Sequence, residues 1–173
     1  MMSAAVPSAV RQERLECWVC EYSDALLRTC YLCLGDTGLA EDALQETFLK
    51  AWKAMGNYER SHIRSDKAWL MRIALNVCHD AQRSRWMRHV DTRQTIDNLP
   101  PSLVAVQPED HTLRLEIGRL PEKYKQVILM CFYQELTERE AAEALGISVS
   151  TVCKRLKSAE ALLRSSLTEE GER

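Results

Sequence analysis

Residues 120–167 read LPEKYKQVILMCFYQELTEREAAEALGISVSTVCKRLKSAEALLRSSL. Thr137 precedes Glu140 by three residues, which is the spacing of a capping box at the start of a helix. Gly146 can adopt the left-handed backbone of a sharp turn, and Ser148 can cap a second helix. This stretch therefore predicts a helix-turn-helix.

The second helix of this motif has two different faces. Its apolar positions recur every three or four residues and are Val152, Leu156, Ala159 and Leu163. The polar side carries Ser150, Thr151, Lys154, Arg155, Lys157 and Ser158. A helix that buries one face and presents Ser, Thr, Lys and Arg on the other suits the major groove of DNA. The alternative is an ordinary solvated face, because charged exposed faces are common.

Composition predicts an all-α protein. The 173 residues suffice for one sizeable domain or two small ones, and 46% hydrophobic with 28% charged residues is typical of a globular chain. Ala, Leu, Glu and Arg dominate, while Gly and Pro are sparse. The start, MMSAAVPSAV, lacks the pattern of a secretion signal, and no apolar run is long enough to span a bilayer. We therefore expect a cytoplasmic protein without stable membrane insertion.

The chain divides into two small helical domains joined by a flexible linker. We expect a flexible N-terminus at 1–10, a helical domain at 11–90, a linker at 91–111, the helix-turn-helix domain at 112–167 and a tail at 168–173. The linker contains three prolines and has no helical period. In the first domain we predict helices over 11–34, 39–55 and from 65 or 66 to about 88. The apolar stripe predicted for the second is Leu44, Thr47, Phe48, Ala51, Trp52 and Met55.

Charge is unevenly distributed along the chain. The net charge is −2, but residues 61–93 hold 7 basic and 3 acidic side chains, whereas residues 1–60 hold 6 basic and 9 acidic ones. Local cationic patches on an acidic protein favour DNA contacts that are weak without a partner.

Two helix faces in the first domain are candidate binding surfaces. The third helix aligns Arg72, Asn76, His79 and Arg83, with Trp86, Arg85 and Arg88 beyond them. Phosphate-neutralising arginines, an amide and an aromatic ring together suit nucleic acid. The outer face of the second helix carries Asp42, Gln45, Glu46, Leu49 and Lys53. That face suits a partner with a basic helical surface, although periodicity alone favours a solvated face there. For the third helix the alternative is an exposed basic face, with Asn76 or Asp80 making internal hydrogen bonds.

Seven cysteines raise the possibility of a zinc or redox site. Cys17 and Cys20 form one C-x-x-C pair and Cys30 and Cys33 form another. On one continuous helix, Cys20 and Cys30 would lie about 15 Å apart, too far to share a metal ion. We therefore expect no metal or cofactor. A cysteine-based sensor stays a minor alternative, and Cys78, Cys131 and Cys153 receive no role.

Three stretches resemble the bacterial sigma-70 family. Residues 40–52, AEDALQETFLKAW, resemble the region 2 signature AEDLVQETFLKAW, and residues 68–76, with Asp80 and Arg83, resemble the following WLxRIAxN segment. Residues from Leu120 through the Ser150-Thr151-Val152 helix resemble region 4. The short chain and short linker are similar to the extracytoplasmic function (ECF) subgroup.

The resemblance implies a dissociable, non-catalytic subunit of bacterial RNA polymerase, with an anti-sigma factor as a further partner. Asp42, Gln45, Glu46, Leu49 and Lys53 would contact the clamp helices of the β′ subunit, and region 4 would meet the β flap. Contacts to the −10 element would come from Tyr58, Ser61, His62, Arg64, Arg72, Asn76, His79, Arg83, Arg85, Trp86 and Arg88. The loop 57–65 with Asn76 would hold an unstacked base, and the polar side of the second helix in the helix-turn-helix would read the −35 element. The linker would thread through the polymerase.

A stand-alone helix-turn-helix regulator is the main alternative. Such a protein would bind palindromic operators as a dimer without polymerase. It would leave the patterned first domain without a role.

Overall fold

The computed structural model describes residues 8–58, 60–87 and 109–171, and these contain helices and no strands. The first domain consists of α1 (Ser8–Leu34), α2 (Thr37–Tyr58) and α3 (Asp66–Met87), which pack on one another. The helix α1 begins three residues inside the segment predicted to be flexible, while residues 1–7 lie outside the described part. The predicted all-α class is confirmed.

The second domain is built around its last helix. It consists of α4 (Glu109–Arg119), α5 (Glu122–Ile128), a π-helical turn (Leu129–Tyr133), α6 (Glu138–Leu145) and α7 (Val149–Gly171). The helices α4, α5 and α6 all contact α7. The helix α4 starts three residues inside the predicted linker, most of which lies outside the described residues, and α7 extends into the predicted tail.

The local signals of the helix-turn-helix are present as predicted. The Oγ1 atom of Thr137 accepts the backbone N–H of Glu140, and the Glu140 carboxylate accepts the backbone N–H of Thr137 in return. Gly146 has φ 66°, and Oγ of Ser148 accepts the backbone N–H of Thr151. The apolar positions Val152, Leu156 and Ala159 are buried. The angle between α6 and α7 is therefore set by a cap at each start and a left-handed residue between them.

Two glycines give opposite predictions for stability. Gly146 has a positive φ, so Gly146→Ala is expected to destabilise the protein by about 1–2 kcal/mol, although nothing lies within 4 Å of the added Cβ. Gly118 lies inside α4, also with nothing within 4 Å of an added Cβ, so Gly118→Ala should stabilise by roughly 0.5–1 kcal/mol. Urea denaturation followed by circular dichroism measures both changes. If both substitutions changed the free energy of unfolding equally and in the same direction, backbone conformation would not explain their effects.

One predicted core position in α2 is partly exposed. The residues that α2 buries are Ala40, Ala43, Thr47, Ala51, Met55 and Tyr58. Trp52, which the sequence placed in the core stripe, is 36% exposed and lies beside this buried face. The small alanines let α2 approach its neighbours closely, so the buried stripe is displaced from the larger side chains.

The two domains pack against each other around Gln134, a residue that follows the π-helical turn and is 6% exposed. Its side-chain amide donates to the carbonyl oxygen of Ala25 at 3.2 Å and to Oγ1 of Thr29 at 2.8 Å, both in α1. Its backbone carbonyl accepts from Nζ of Lys67 in α3 at 2.8 Å. Nearby, the Arg114 guanidinium lies 5.1 Å from the ring centroid of Tyr31. We call these contacts of Gln134, Lys67 and Arg114 between the two domains the interdomain latch.

Candidate nucleic-acid interface

The polar side of α7 forms a continuous exposed surface. Ser150, Lys154, Lys157 and Ser158 are exposed, and Thr151 and Arg155 are half-buried. Among the described residues, none of the ion pairs involves Lys154, Arg155 or Lys157. Their positive charges are therefore available to phosphates and base edges. The structure thus brings together all six residues predicted for the −35 element.

The start of α7 is braced by hydrogen bonds among its own side chains. The Oγ of Ser148 lies 2.9 Å from Oγ of Ser150 and 2.8 Å from Oγ1 of Thr151. The thiol of Cys153 donates to a Glu138 carboxylate oxygen at 2.9 Å, which joins α7 to the start of α6, and this bond raises the pKa of the thiol. Cys153 received no role from the sequence, because only the folded motif shows that it faces Glu138.

The basic stripe of α3 is exposed in the part that the structure describes. Arg72, Asn76 and Arg83 are exposed and His79 is half-buried. Beside this stripe, the side chain of Gln82 donates to the backbone carbonyl of Cys33 at 2.6 Å and fixes α3 on α1. The side chains of Arg85 and Trp86 and all of Arg88 lie outside the described residues.

A cavity of about 400 Å³ lies between α2 and α3. It is lined by Lys50, Ala54, Ile73, Asn76, His79 and Asp80. The ammonium of Lys50 lies 3.7 Å from a carboxylate oxygen of Asp80, and both side chains are largely exposed. The sequence placed Asn76 in a base pocket but did not indicate that Lys50 and Asp80 line the same cavity. Lys50 lies in α2 and Asp80 in α3, so no local sequence pattern indicates that they meet.

The loop between α2 and α3 presents three of its predicted contacts to solvent and buries the fourth. Ser61, His62 and Arg64 are exposed. Tyr58 is only 7% exposed, and its hydroxyl donates to the carboxylate of Asp66. Burial, followed by the hydrogen bond to Asp66, raises the pKa of Tyr58 far above its usual range. This burial argues against the predicted direct contact of Tyr58 with DNA.

The outer face of α2 carries an exposed acidic and apolar surface. Asp42, Gln45, Glu46, Leu49 and Lys53 are all exposed, and Leu49 is 54% exposed. Trp52 lies next to Lys53 and is also accessible. An exposed leucine and tryptophan among carboxylates are typical of a protein-binding surface rather than a purely solvated one. We call this the α2 docking face.

The cysteines do not form a metal centre in the described part of the chain, where no cluster of three metal-ligating side chains occurs. Cys17 and Cys20 are exposed, whereas Cys30, Cys33 and Cys78 are buried between α1 and α3. Hydrogen bonding to Cys78, together with burial, raises the pKa of Cys33 well above its usual range. These buried thiols therefore serve as small apolar core residues.

Comparison with known proteins identifies the family. Residues 18–88 match the model of sigma-70 region 2, and residues 111–163 match that of sigma-70 region 4. The ECF RNA polymerase sigma factor SigW of Bacillus subtilis is 30% identical over 162 residues, covering 86% of each chain. The chain belongs to the ECF RNA polymerase sigma factors. SigL of Mycobacterium tuberculosis is also 30% identical to this sigma factor, over 158 residues and 87% of each chain.

Two solved structures share the fold of this sigma factor. CnrH in complex with the cytosolic domain of CnrY has a TM-score of 0.63 at 24% identity, covering 91% of this chain and 90% of that one. RpoE of Bartonella quintana, in complex with the anti-sigma factor NepR, has a TM-score of 0.69 at 19% identity, covering 90% and 98%. None of the helices in the described ranges could cross a membrane.

Proposed function

We propose that this sigma factor directs core RNA polymerase to specific promoters and helps to open the −10 element, without catalysing a reaction itself. The observation that supports the proposal is that three exposed faces differ in chemistry. The α2 docking face is acidic and apolar, the α3 stripe is basic, and the polar side of α7 is basic on a helix-turn-helix. One surface thus suits a protein and two suit DNA.

The α2 docking face is the proposed contact with the clamp helices of the β′ subunit. Leu49 can fill an apolar pocket of the partner, while Asp42 and Glu46 can pair with basic side chains at its edge. The β flap is the proposed partner of the second domain. Because the α2 docking face and the α3 stripe are on adjoining helices, polymerase and promoter can bind the first domain together.

The −10 element is the proposed ligand of α3 and the preceding loop. Arg72 and Arg83 can hold backbone phosphates, and the cavity beside Asn76 can accept a base that has left the stack. Extruding a base costs a few kcal/mol, so the binding of the extruded base must offset that cost. The exposed amide of Asn76 can form hydrogen bonds with a base edge there.

The interdomain latch must open before both elements can be bound. Elements about 25 base pairs apart are separated by roughly 85 Å at 3.4 Å per base pair. A compact body of about 150 residues has a radius of gyration of only about 15 Å. The packed arrangement therefore cannot reach both elements. We propose that the sigma factor adopts it only when it is not bound to a promoter.

Weakening the interdomain latch is expected to expand the protein in solution. Gln134→Leu with Lys67→Met removes the amide donors to α1 and the ammonium that binds the backbone carbonyl of residue 134. Small-angle X-ray scattering should show a larger radius of gyration for this variant. The matched control is Gln126→Leu with Lys123→Met, which leaves the latch intact. A variant as compact as wild type would contradict the role of these two side chains.

An anti-sigma factor is the proposed regulatory partner. RpoE of Bartonella quintana was solved in complex with the anti-sigma factor NepR, and CnrH was solved in complex with the cytosolic domain of CnrY. A partner that covers the α2 docking face or the polar side of α7 would prevent initiation, and one that contacts both domains would hold the latch closed.

The proposal is tested by assembly of the purified components. The sigma factor should be retained by immobilised core polymerase and should bind promoter fragments tightly only in that complex. Failure to bind core polymerase, combined with tight binding of palindromic DNA by the chain alone, would instead support a stand-alone regulator.

A further inference from the structure

Asp66 ties three helices together at the base of the loop between α2 and α3. One oxygen of its carboxylate accepts the indole N–H of Trp18 in α1 at 2.8 Å, and the other accepts the hydroxyl of Tyr58. Tyr58 is the last residue of α2 and Asp66 is the first of α3. The bond between them therefore joins the two ends of the loop.

The donors that meet Asp66 belong to a packed aromatic cluster. Trp18, Tyr58 and Trp69 are 1%, 7% and 7% exposed, and their ring centroids lie 4.5–5.8 Å apart. The guanidinium of Arg14 lies 5.5 Å from the ring centroid of Trp18. A buried donor without a partner is costly, so this cluster strongly favours a hydrogen-bonding side chain at position 66.

The loop is also ordered by bonds that start from these fixed ends. The hydroxyl of Ser61 donates to the carbonyl of Tyr58 at 2.7 Å, and Nη2 of Arg60 donates to Oδ1 of Asn57 at 2.8 Å. At the other end, Oγ of Ser65 accepts the backbone N–H of Ala68 at 3.2 Å. The exposed side chains of the loop thus project from a closed, braced turn.

We infer that Asp66 is a positioning residue for recognition of the −10 element. By fixing the ends of the loop, its carboxylate holds Ser61, His62 and Arg64 in one arrangement before promoter DNA arrives. A preorganised site binds more selectively, because ordering of the loop does not have to accompany binding. Asp66 itself faces Trp18 and Tyr58 and acts only through the loop. The inference rests on the proposed function of this loop.

Two substitutions at this position separate the hydrogen bonds from the charge. Asp66→Leu keeps similar bulk and removes both acceptors. Asp66→Asn keeps the network, since its amide oxygen can accept from Trp18 and its NH₂ can donate to the Tyr58 hydroxyl, which is both donor and acceptor. Cys78→Ala is the control for lost packing, because Cys78 is buried in α3 about 18 Å along the helix from Asp66.

The measurement is selectivity among promoters, scored with the polymerase holoenzyme. Run-off transcripts are compared between a promoter and its single-base −10 substitutions, at equal amounts of folded sigma factor. With the wild type, a wrong base pair should lower transcription roughly tenfold or more. Asp66→Leu should reduce this ratio to about threefold or less, whereas Asp66→Asn and Cys78→Ala should keep it. A general loss of stability would lower all transcripts together and leave the ratio unchanged.

The outcomes distinguish this inference from the function on which it rests. If Asp66→Leu retains the wild-type ratio, or if Asp66→Asn loses it as fully, the positioning role is overturned. If Asp66→Leu does not fold, Tyr58→Phe removes only the hydroxyl that joins the two ends of the loop, and an unchanged ratio in that variant would also overturn the positioning role. A wild-type protein that shows no −10 preference would instead refute the proposed function.

Discussion

Reversing two charges on the α2 docking face is expected to abolish binding to core polymerase while the fold survives. Asp42→Arg with Glu46→Arg places two cations where a basic partner surface is proposed. Both side chains are exposed, so the substitution disturbs no core packing. Like charges at an interface cost several kcal/mol. We expect the dissociation constant to rise at least hundredfold, which corresponds to about 3 kcal/mol.

A control variant separates this effect from net charge. Glu13→Arg with Glu16→Arg changes the charge by the same amount, and both of these residues are exposed. Both lie in α1, outside the α2 docking face. Binding titrations with labelled core polymerase, alongside circular dichroism, give the comparison. Wild-type affinity in the folded Asp42 and Glu46 variant would refute the docking face.

The second large effect is expected from removing two positive charges from α7. Lys154→Ala with Arg155→Ala should weaken recognition of the −35 element by a few kcal/mol at most, since a good bidentate base contact contributes about 1–3 kcal/mol of discrimination. Neither side chain is in the buried core, so the helix-turn-helix should remain folded. Holoenzyme binding to promoters with intact and scrambled −35 sequences measures the lost discrimination.

The matched control for this pair is Arg139→Ala with Arg164→Ala. It removes the same charge from exposed positions of the same domain, outside the predicted recognition surface. We expect it to reduce affinity for both promoters similarly, through the general electrostatic contribution. Unchanged −35 selectivity in the Lys154 and Arg155 variant would show that the polar side of α7 is not the reading surface.

Local patterns predicted the fold and most of the exposed faces. Thr137, Glu140 and Gly146 specify their own backbone geometry within a few residues, so the helix-turn-helix could be derived from the sequence alone. The same holds for the exposure of the α2 docking face and the α3 stripe, because helical periodicity determines which side chains share a face.

Features that depend on contacts between distant residues could not be predicted. Gln134 is 105 positions from Thr29, and nothing near either residue indicates that they meet. Trp18 and Asp66 are 48 positions apart, and nothing in the residues around either one indicates that they meet. The partial exposure of Trp52 likewise follows from how closely the alanines of α2 approach their neighbours, which no single helix reveals.

Mapping transcript 5′ ends from run-off reactions shows whether this sigma factor directs initiation at specific promoters. Core polymerase is incubated with genomic promoter fragments, with and without this sigma factor. We expect new transcripts that begin at defined positions and share sequence elements about 10 and 35 base pairs upstream. Identical transcripts in the presence and absence of the sigma factor, with a core polymerase that responds to another sigma factor, would refute the proposed function.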